Sequence, residues 1–429
     1  MESTPALTRE SSFKLKNLRW YILGTNALVL ALNYADRAAI GVGAPFILKE
    51  FGFSAAVWGI ILGVFAFGYA PFCFIGGWTS DKFGPRRIMA LCIIWWSIFT
   101  ALTAYGFNFV SFLFIRLFFG FGEGPQGSVT AKTMGSWFPQ QEIGRAMGIP
   151  QAFTPLGGAI AVPLVAWMIG ITGNWRLPFI ILGIFGILFG IGWYLIVRDK
   201  PEQHPWITAK ELAYITAGFA ASSKEQSTLS IWRYINTPLM WSVSLAFFGY
   251  AWVLFTFLNW YPVYLFQVHG VDIKTLAVTG AIPWITGTIG FMLGGVFSDW
   301  LGAKTGQHAK VHKWTIVICL TGVCITFAPS AMITSTYSAV ALMSLSIFLL
   351  YFSAPNYWAL VADNVHTSKL GGVAGFVHFI ANLAGIFAPV VTGALVSAFG
   401  AWEWGFGIGA IIVGAGAASL AVMGKIDHA

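Results

Sequence analysis

Charge is what this chain has least of. Asp, Glu, Lys and Arg make up 9% of its 429 residues, where soluble domains carry about 25%. A water-facing surface cannot be built from so few charges, which excludes a soluble enzyme with a large buried core. A lipid-facing surface can, because hydrocarbon neither needs nor tolerates them. Cysteine is scarce too. Cys73, Cys92, Cys319 and Cys324 all fall inside apolar runs, and none has metal-ligand spacing to a second Cys or His. No nucleophile–base pair or metal set stands at suitable spacing either, so neither an enzyme, a metal nor a cofactor is expected. The excess of 24 Lys and Arg over 16 Asp and Glu forms no basic module. That argues against a nucleic-acid partner and for a topology signal.

What the chain has instead is apolar residues, 57% of the total, with 49 glycines and a mean hydropathy of +0.74. Glycine at that level suits helices packed closely in a membrane. Crossing about 30 Å of hydrocarbon takes roughly 20 apolar residues. Twelve such stretches are expected, near 20–43, 56–78, 87–106, 109–131, 145–169, 177–197, 238–266, 276–300, 314–331, 336–361, 371–398 and 403–423. Residues 1–19 are polar and the first apolar run is too long for a cleaved signal, so it reads as a retained span. The longest polar stretch divides the chain into an N-terminal bundle (1–197), a linker (198–236) and a C-terminal bundle (237–429).

Charge alternation tests that count. Lys49, Arg176 and Lys274 fall in one set of connecting segments, and Arg37 and Arg116 lie within spans. Every other Lys and Arg falls in the opposite set, with the N-terminus, the linker and the C-terminus. The positive-inside rule then places both termini in the cytoplasm of a cell whose inner membrane the chain crosses. The halves also repeat. GGWTSDKFG, from Gly76 to Gly84, follows the second span, and GGVFSDWLG, from Gly294 to Gly302, follows the eighth. A weaker echo matches Gly144, Gly148 and Gly158 to Gly371, Gly375 and Gly385. Two parallel six-span repeats predict an all-α membrane protein of the major facilitator fold.

Intramembrane charge is expensive and usually functional. Four such residues stand out, Asp36 and Arg37 in the first span and Arg116 and Glu123 in the fourth. Arg116 and Glu123, two helical turns apart, share a face at a separation of about 10 Å. Each arginine can clamp a carboxylate or sulfonate at two points. Low dielectric favours the protonated form of a carboxyl and a nearby arginine opposes it, so Asp36 and Glu123 can couple protons to anion occupancy. The plainer alternative is static ion pairing, Asp36 with an arginine and Arg116 with Glu123. The C-terminal half offers Asn259, Tyr261, Asn356, His378 and Asn382, with His378 aligned to Gln151 in the repeat. His378 reads equally as a packing residue or as a contact to substrate or proton. Tyr34 and Tyr69 bring hydroxyls, and Trp260 and Trp358 are candidate cavity walls. Asp81, with Lys82, Arg86 and Arg87 nearby, and Asp299 at the matching position read as gating latches, with Asp363 a similar edge contact. Pro125, just after Glu123 and Gly124, predicts a kink beside the proton site.

The whole chain resembles the anion:cation symporters of the major facilitator superfamily. That group includes bacterial galactonate, glucarate, hexuronate, tartrate and phthalate transporters and is related to sialin. NYADR (33–37), RLFFGFGEGP (116–125), RDKPEQHPWITAKE (198–211), WYPVYL (260–265) and ANLAGI (381–386) carry the likeness. The resemblance implies Asp36 and Glu123 as proton carriers and Arg37 and Arg116 as anion ligands. It implies Tyr34, Tyr69, Gln151 and Asn382 as contacts to substrate hydroxyls. His378 stands where the family often has Asn, which opens a short or aromatic carboxylate or a sulfonate beside a sugar acid. The expected function is proton-coupled uptake of a small organic anion by alternating access, in a monomer whose partners are the anion, H+ and the bilayer. The alternatives are organic anion or phosphate antiport, drug efflux, and a membrane sensor that binds an anion without moving it.

Overall fold

The computed structural model describes residues 14–139, 141–220 and 229–424. Arg9, Lys224 and Lys425 of the charge pattern, and Ser222, Ser223 and Glu225 of the central stretch, lie outside the described residues. Helices account for nearly all of the described chain, and one isolated bridge, Leu15 to Ile207, stands in place of any strand. The reason is the solvent: hydrocarbon offers no hydrogen bonds, so each backbone group must be satisfied within its own helix.

Among the described residues, ten helical stretches are long and apolar enough to cross a membrane, with Ile273–Thr305 and Lys369–Phe399 each taken as one. The other two expected spans are helical as well. Leu18–Phe51 carries Asn26, Asn33, Asp36 and Arg37 along its length, and these lower its hydropathy. Phe109–Glu123 stops at Gly124–Pro125 and resumes as Gln126–Trp137, so neither piece alone is long enough. The pattern is consistent with twelve spans. At the kink expected after Glu123 the regular helix is interrupted for two residues, Gly124 and Pro125, which keep right-handed helical dihedrals. Two further breaks had no place in the sequence reading: the eighth span divides between Ile273–Thr279 and Ile282–Thr305, and the eleventh between Thr367–Asn382 and Ala384–Phe399.

The same pairings recur in both halves. The second span packs on the fourth and the eighth on the tenth; the third packs on the sixth and the ninth on the twelfth. Between the halves, the first span meets the seventh, the second meets the eleventh, and the fifth meets the eighth. Glycine makes these contacts close. A Cβ on Gly59 would lie 2.5 Å from the Pro389 carbonyl oxygen, and one on Gly393 2.3 Å from that of Ala55. Both contacts lie on the side away from the linker. Toward the linker side the picture reverses: Gly144 and Gly148 on the fifth span, and Gly371 and Gly375 on the eleventh, face open space. The third matched pair, Gly158 and Gly385, packs across the interface against Trp284 and Ala66, and Gly385 also meets Phe255 of its own half. The glycine echo therefore joins, in each half, one close-packed position to two linker-side positions with nothing within 4 Å of a Cβ.

The start of the linker is built into the N-terminal half. The Asp199 carboxylate accepts the Arg86 backbone N–H at 2.8 Å and caps the third span, Pro85–Thr103. Gly84 provides the room, with φ at 86° and no Cβ to meet that carboxylate. Trp137 Nε1 donates to the Arg198 carbonyl at 2.9 Å, and its ring meets His204 edge-on. Glu211 accepts the backbone N–H groups of Leu18 and Arg19 at 2.8 and 3.1 Å, which caps the first span. Arg19 joins Glu211 at 3.0 Å to Glu142 at 2.9 Å, and the Tyr214 hydroxyl also donates to Glu142. Glu142 is the N-cap residue of the fifth span, Ile143–Thr172, so one knot ties the first span, the fifth span and the linker helix Ala209–Ala220.

Two predictions arise here. A Cβ at Gly157 would sit 2.1 Å from the Ala31 carbonyl oxygen. Gly157→Leu should therefore forfeit about 1–3 kcal/mol or more of stability, while Gly144→Leu leaves stability near wild type; detergent thermal midpoints and yields measure both. Second, the hydrogen bond from Arg19 holds the Glu142 carboxyl below the ordinary carboxylate range, with partial burial opposing. A depressed folded-state value stabilises above the unfolded one and the benefit disappears as pH falls through it. Glu142→Gln should lower the thermal midpoint at pH 7, by the equivalent of about 1 kcal/mol. The gap between variant and wild type should hold down to about pH 4, near the unfolded carboxyl value, and close only below it, as the pH falls through the depressed folded-state value.

Candidate functional site

The first span brings Asn33, Tyr34, Asp36 and Arg37 to the middle of the N-terminal half, where the second, third and fourth spans surround them. Arg37 Nε donates to Glu123 Oε2 at 2.7 Å, and the pair is buried, with 8% and 0% side-chain exposure. The Arg37 guanidinium lies over the rings of Tyr34, Phe65 and Tyr69, at 5.3, 5.0 and 5.0 Å. Arg116 lies over Phe65 and Phe119, at 5.1 and 4.7 Å. Phe65 is thus shared by two cations. Ring faces attract cations without neutralising them, which leaves both guanidinium groups able to meet an anion.

Both acids are sealed from solvent in this conformation, Asp36 at 2% exposure and Glu123 at 0%. Asp36 turns toward the third span, beside Trp96 and Thr100, within electrostatic reach of Glu123 and Arg116. Neither of its carboxylate oxygens completes a well-formed hydrogen bond among the described residues, nor do Glu123 Oε1, Arg116 Nε or Asn33 Nδ2. Buried polar groups in folded proteins are nearly always paired. So many open valences around two acids and two guanidinium groups set this centre apart from ordinary helix packing.

The other expected site residues are distributed around this centre. Tyr34 is half-buried and meets Trp284 of the eighth span edge-on at 6.4 Å, so it lies at the seam between halves. Tyr69 is buried against Arg37. From the C-terminal half, Tyr351 and His378 come within electrostatic reach of Arg37. His378 is half-buried between Phe247 and Trp358, with ring centroids 6.1 and 5.5 Å away. Gln151 and Asn382 are half-buried on the fifth and eleventh spans, and the Asn382 amide donates to the His378 carbonyl at 2.8 Å. Trp358 flanks His378 as expected of a wall. Trp260 does not: it is fully buried against Gly393 and Trp402 of the eleventh and twelfth spans.

The expected latches sit apart from this centre. Asp81 pairs with Lys132, beyond the break in the fourth span. Arg86 donates to the Tyr194 carbonyl at 2.7 Å and covers the Tyr194 ring. Asp299 is exposed, and Asp363 lies 3.7 Å from His312, whose Nδ1 is 2.8 Å from the Asn356 amide oxygen. The Asp81 and Arg86 contacts stay inside the N-terminal half. Sequence reading missed Phe65, Trp96 and Thr100. A signal existed for each: Phe65 stands one turn before Tyr69, and Trp96 one turn before Thr100, so each pair shares a helix face.

Comparison with known proteins agrees with this architecture. The Major Facilitator Superfamily model matches residues 27–378. The hexuronate transporter of Bacillus subtilis is 36% identical over 87% of this chain and 87% of its own length. The probable sulfoacetate transporter of Cupriavidus necator is 33% identical over 93% and 92%, and the probable L-galactonate transporter of Escherichia coli is 30% identical over 90% and 85%. Among solved structures, an inward-facing, occupied bacterial homologue of the human lysosomal transporter Spinster superposes with a TM-score of 0.78. It is 20% identical and covers 95% of this chain and 97% of its own. With its paired six-span halves and this match over most of its length, the chain belongs to the Major Facilitator Superfamily, a family of membrane transporters and not of enzymes.

Proposed function

We propose that the protein takes up a small organic anion together with protons, through alternating access to the Arg37–Arg116 centre. The observation that carries this reading is the buried Arg37–Glu123 hydrogen bond, set beside an Asp36 that lies against Trp96 and Thr100 and forms no ion pair among the described residues, and an Arg116 with an open valence. With both acids ionised, two positive and two negative side chains balance. An anion entering that balance in low dielectric leaves a net negative charge, which is strongly unfavourable when buried. A proton on Glu123 restores neutrality and releases Arg37 from its carboxylate. The freed guanidinium then meets the substrate acid group. Loading the anion and loading the proton become one event, and Asp36 offers a second proton site for a more highly charged substrate.

The relatives named for hexuronate, galactonate and sulfoacetate support a sugar acid, a carboxylate or a sulfonate as cargo. Tyr34, Tyr69, Gln151, His378 and Asn382 are the side chains available to its body. The seams described above supply the motion: bundles 1–197 and 237–429 rock, joined by 198–236, with Asp81, Arg86 and Asp299 at the linker-side ends. The linker and both termini face the cytoplasm of a cell inner membrane, and the working unit is one chain.

Purified protein in liposomes tests this. Wild type should accumulate glucuronate, galactonate or sulfoacetate when the lumen is made alkaline. Glu123→Gln should keep exchange of labelled for unlabelled anion and lose gradient-driven accumulation; full accumulation by that variant would sink the proposal. Arg116→Ala should weaken anion binding about 10- to 100-fold, the size of one hydrogen bond to a charged group. Unchanged affinity in a thermal-shift titration would remove Arg116 from the site.

A further inference from the structure

A second set of buried polar side chains runs from the Glu123 centre toward the linker. The Thr130 hydroxyl donates to the Asn26 amide oxygen at 2.9 Å and accepts from Gln126 Nε2 at 3.1 Å. All three are sealed, at 0% exposure for Asn26, 8% for Gln126 and 4% for Thr130. Gln126 opens the helix that resumes after the Gly124–Pro125 break, so it stands directly on the linker side of Glu123. Thr130 lies one turn further on. Across the seam, the first span repeats Arg19, Asn26 and Asn33 at intervals of seven residues. Two turns of helix keep them on one face, about 10 Å apart. Asn33 lies beside Glu123, and Arg19 joins Glu142 and Glu211 at the linker-side surface. The face thus places three polar side chains between the buried acid and Glu142, which reaches solvent, with buried Ile22, Leu23, Val29 and Leu30 between them.

Open valences follow the same line. Glu123 Oε1, Asn33 Nδ2 and Asn26 Nδ2 all lack a well-formed partner among the described residues, and all are buried. Asn26 is too far down the first span to touch a substrate held at Arg37. A fully buried amide in an otherwise apolar helix face is costly unless it is paired. A water held between them would satisfy these open groups and would carry a proton where an amide alone does not.

We infer that the seam between the first and fourth spans, lined by Asn26, Gln126 and Thr130, is the route by which the Glu123 proton reaches the linker side. The inference rests on the proton-coupled reading of Glu123. The Glu123 O–H bond breaks, the proton passes to water held by Asn33 and the Asn26–Thr130 pair, and it leaves past Glu142. The carboxylate left behind takes up the hydrogen bond from Arg37. Substrate takes no part in this step, so the seam and the anion site separate by function. Asn26, Gln126 and Thr130 are positioning residues: they hold the water and never touch the cargo.

The test compares net uptake with exchange in liposomes, using labelled glucuronate, galactonate or sulfoacetate, whichever wild type accumulates. Exchange can proceed with the carrier still protonated, whereas net uptake must release a proton in every cycle. Thr130→Val and Asn26→Leu should slow gradient-driven net uptake by about tenfold or more, less than the roughly hundredfold of a direct proton-transfer group, and leave exchange within about twofold. Thr130→Ser, which keeps the hydroxyl, should restore net uptake. Thermal midpoints identify any variant that fails to fold, and the other variant then carries the test. Equal loss of exchange and net uptake assigns the seam to packing and overturns the inference. Net uptake at the wild-type rate in both variants overturns it as well. Wild type that accumulates none of the three anions under a pH gradient overturns the proton-coupled reading itself.

Discussion

A guanidinium and a carboxylate buried together beneath lipid are tolerable only while each has the other. Removing either partner from a buried pair strands a charge, at a penalty of about 3–5 kcal/mol. The Arg37–Glu123 contact of 2.7 Å therefore constrains everything around it. It requires the first and fourth spans to approach each other at mid-depth. It requires aromatic faces, not further acids, to line the remaining sides of the guanidinium. In the uptake proposed above, an arriving anion competes with Glu123 for Arg37. That competition converts a static pair into an exchangeable one.

The break at Gly124–Pro125 belongs to the same logic. A continuous helix would carry Glu123, Gln126 and Thr130 in fixed register. Pro125 withholds its backbone N–H from the helix ladder at the start of the second piece, Gln126–Trp137, and its ring is seated on Gly76 of the second span. Glu123 ends one helix and Gln126 begins the next, so the acid sits at a joint. Side chains at a joint reorient with less disturbance to packing than those in mid-helix, which suits a residue that changes partners.

Much of this was legible in the amino-acid order. The spans followed from hydropathy, because lipid selects for apolar runs of set length. The observed helices overshoot, as Leu18–Phe51 does beyond the expected 20–43, because hydropathy reports where lipid ends and not where the helix ends. The four intramembrane charges were conspicuous for their rarity. Their pairing was not. As static pairs the sequence offered Asp36 with an arginine and Arg116 with Glu123, whereas the structure joins Arg37 to Glu123 and turns Asp36 toward Trp96 and Thr100. Adjacent residues on a helix point about 100° apart, so which of Asp36 and Arg37 meets the fourth span depends on rotation of the whole helix. No local pattern encodes that rotation. The eleventh-span break at Leu383 was equally hidden, having no proline to announce it. The eighth-span break did carry one, Pro283, in the first turn of the resumed helix.

The paired glycines of the fifth and eleventh spans have a mechanical meaning. Gly158 and Gly385 are occupied by contacts across the interface, while Gly144, Gly148, Gly371 and Gly375 stand clear. In the rocking cycle proposed above, those four stand on the ends that come together when the far side parts, and their lack of side chains sets how closely the bundles approach. A bulky residue at any of them would act as a doorstop. It would leave this conformation undisturbed and hold the carrier in it, so that the same glycine is dispensable for folding and indispensable for turnover.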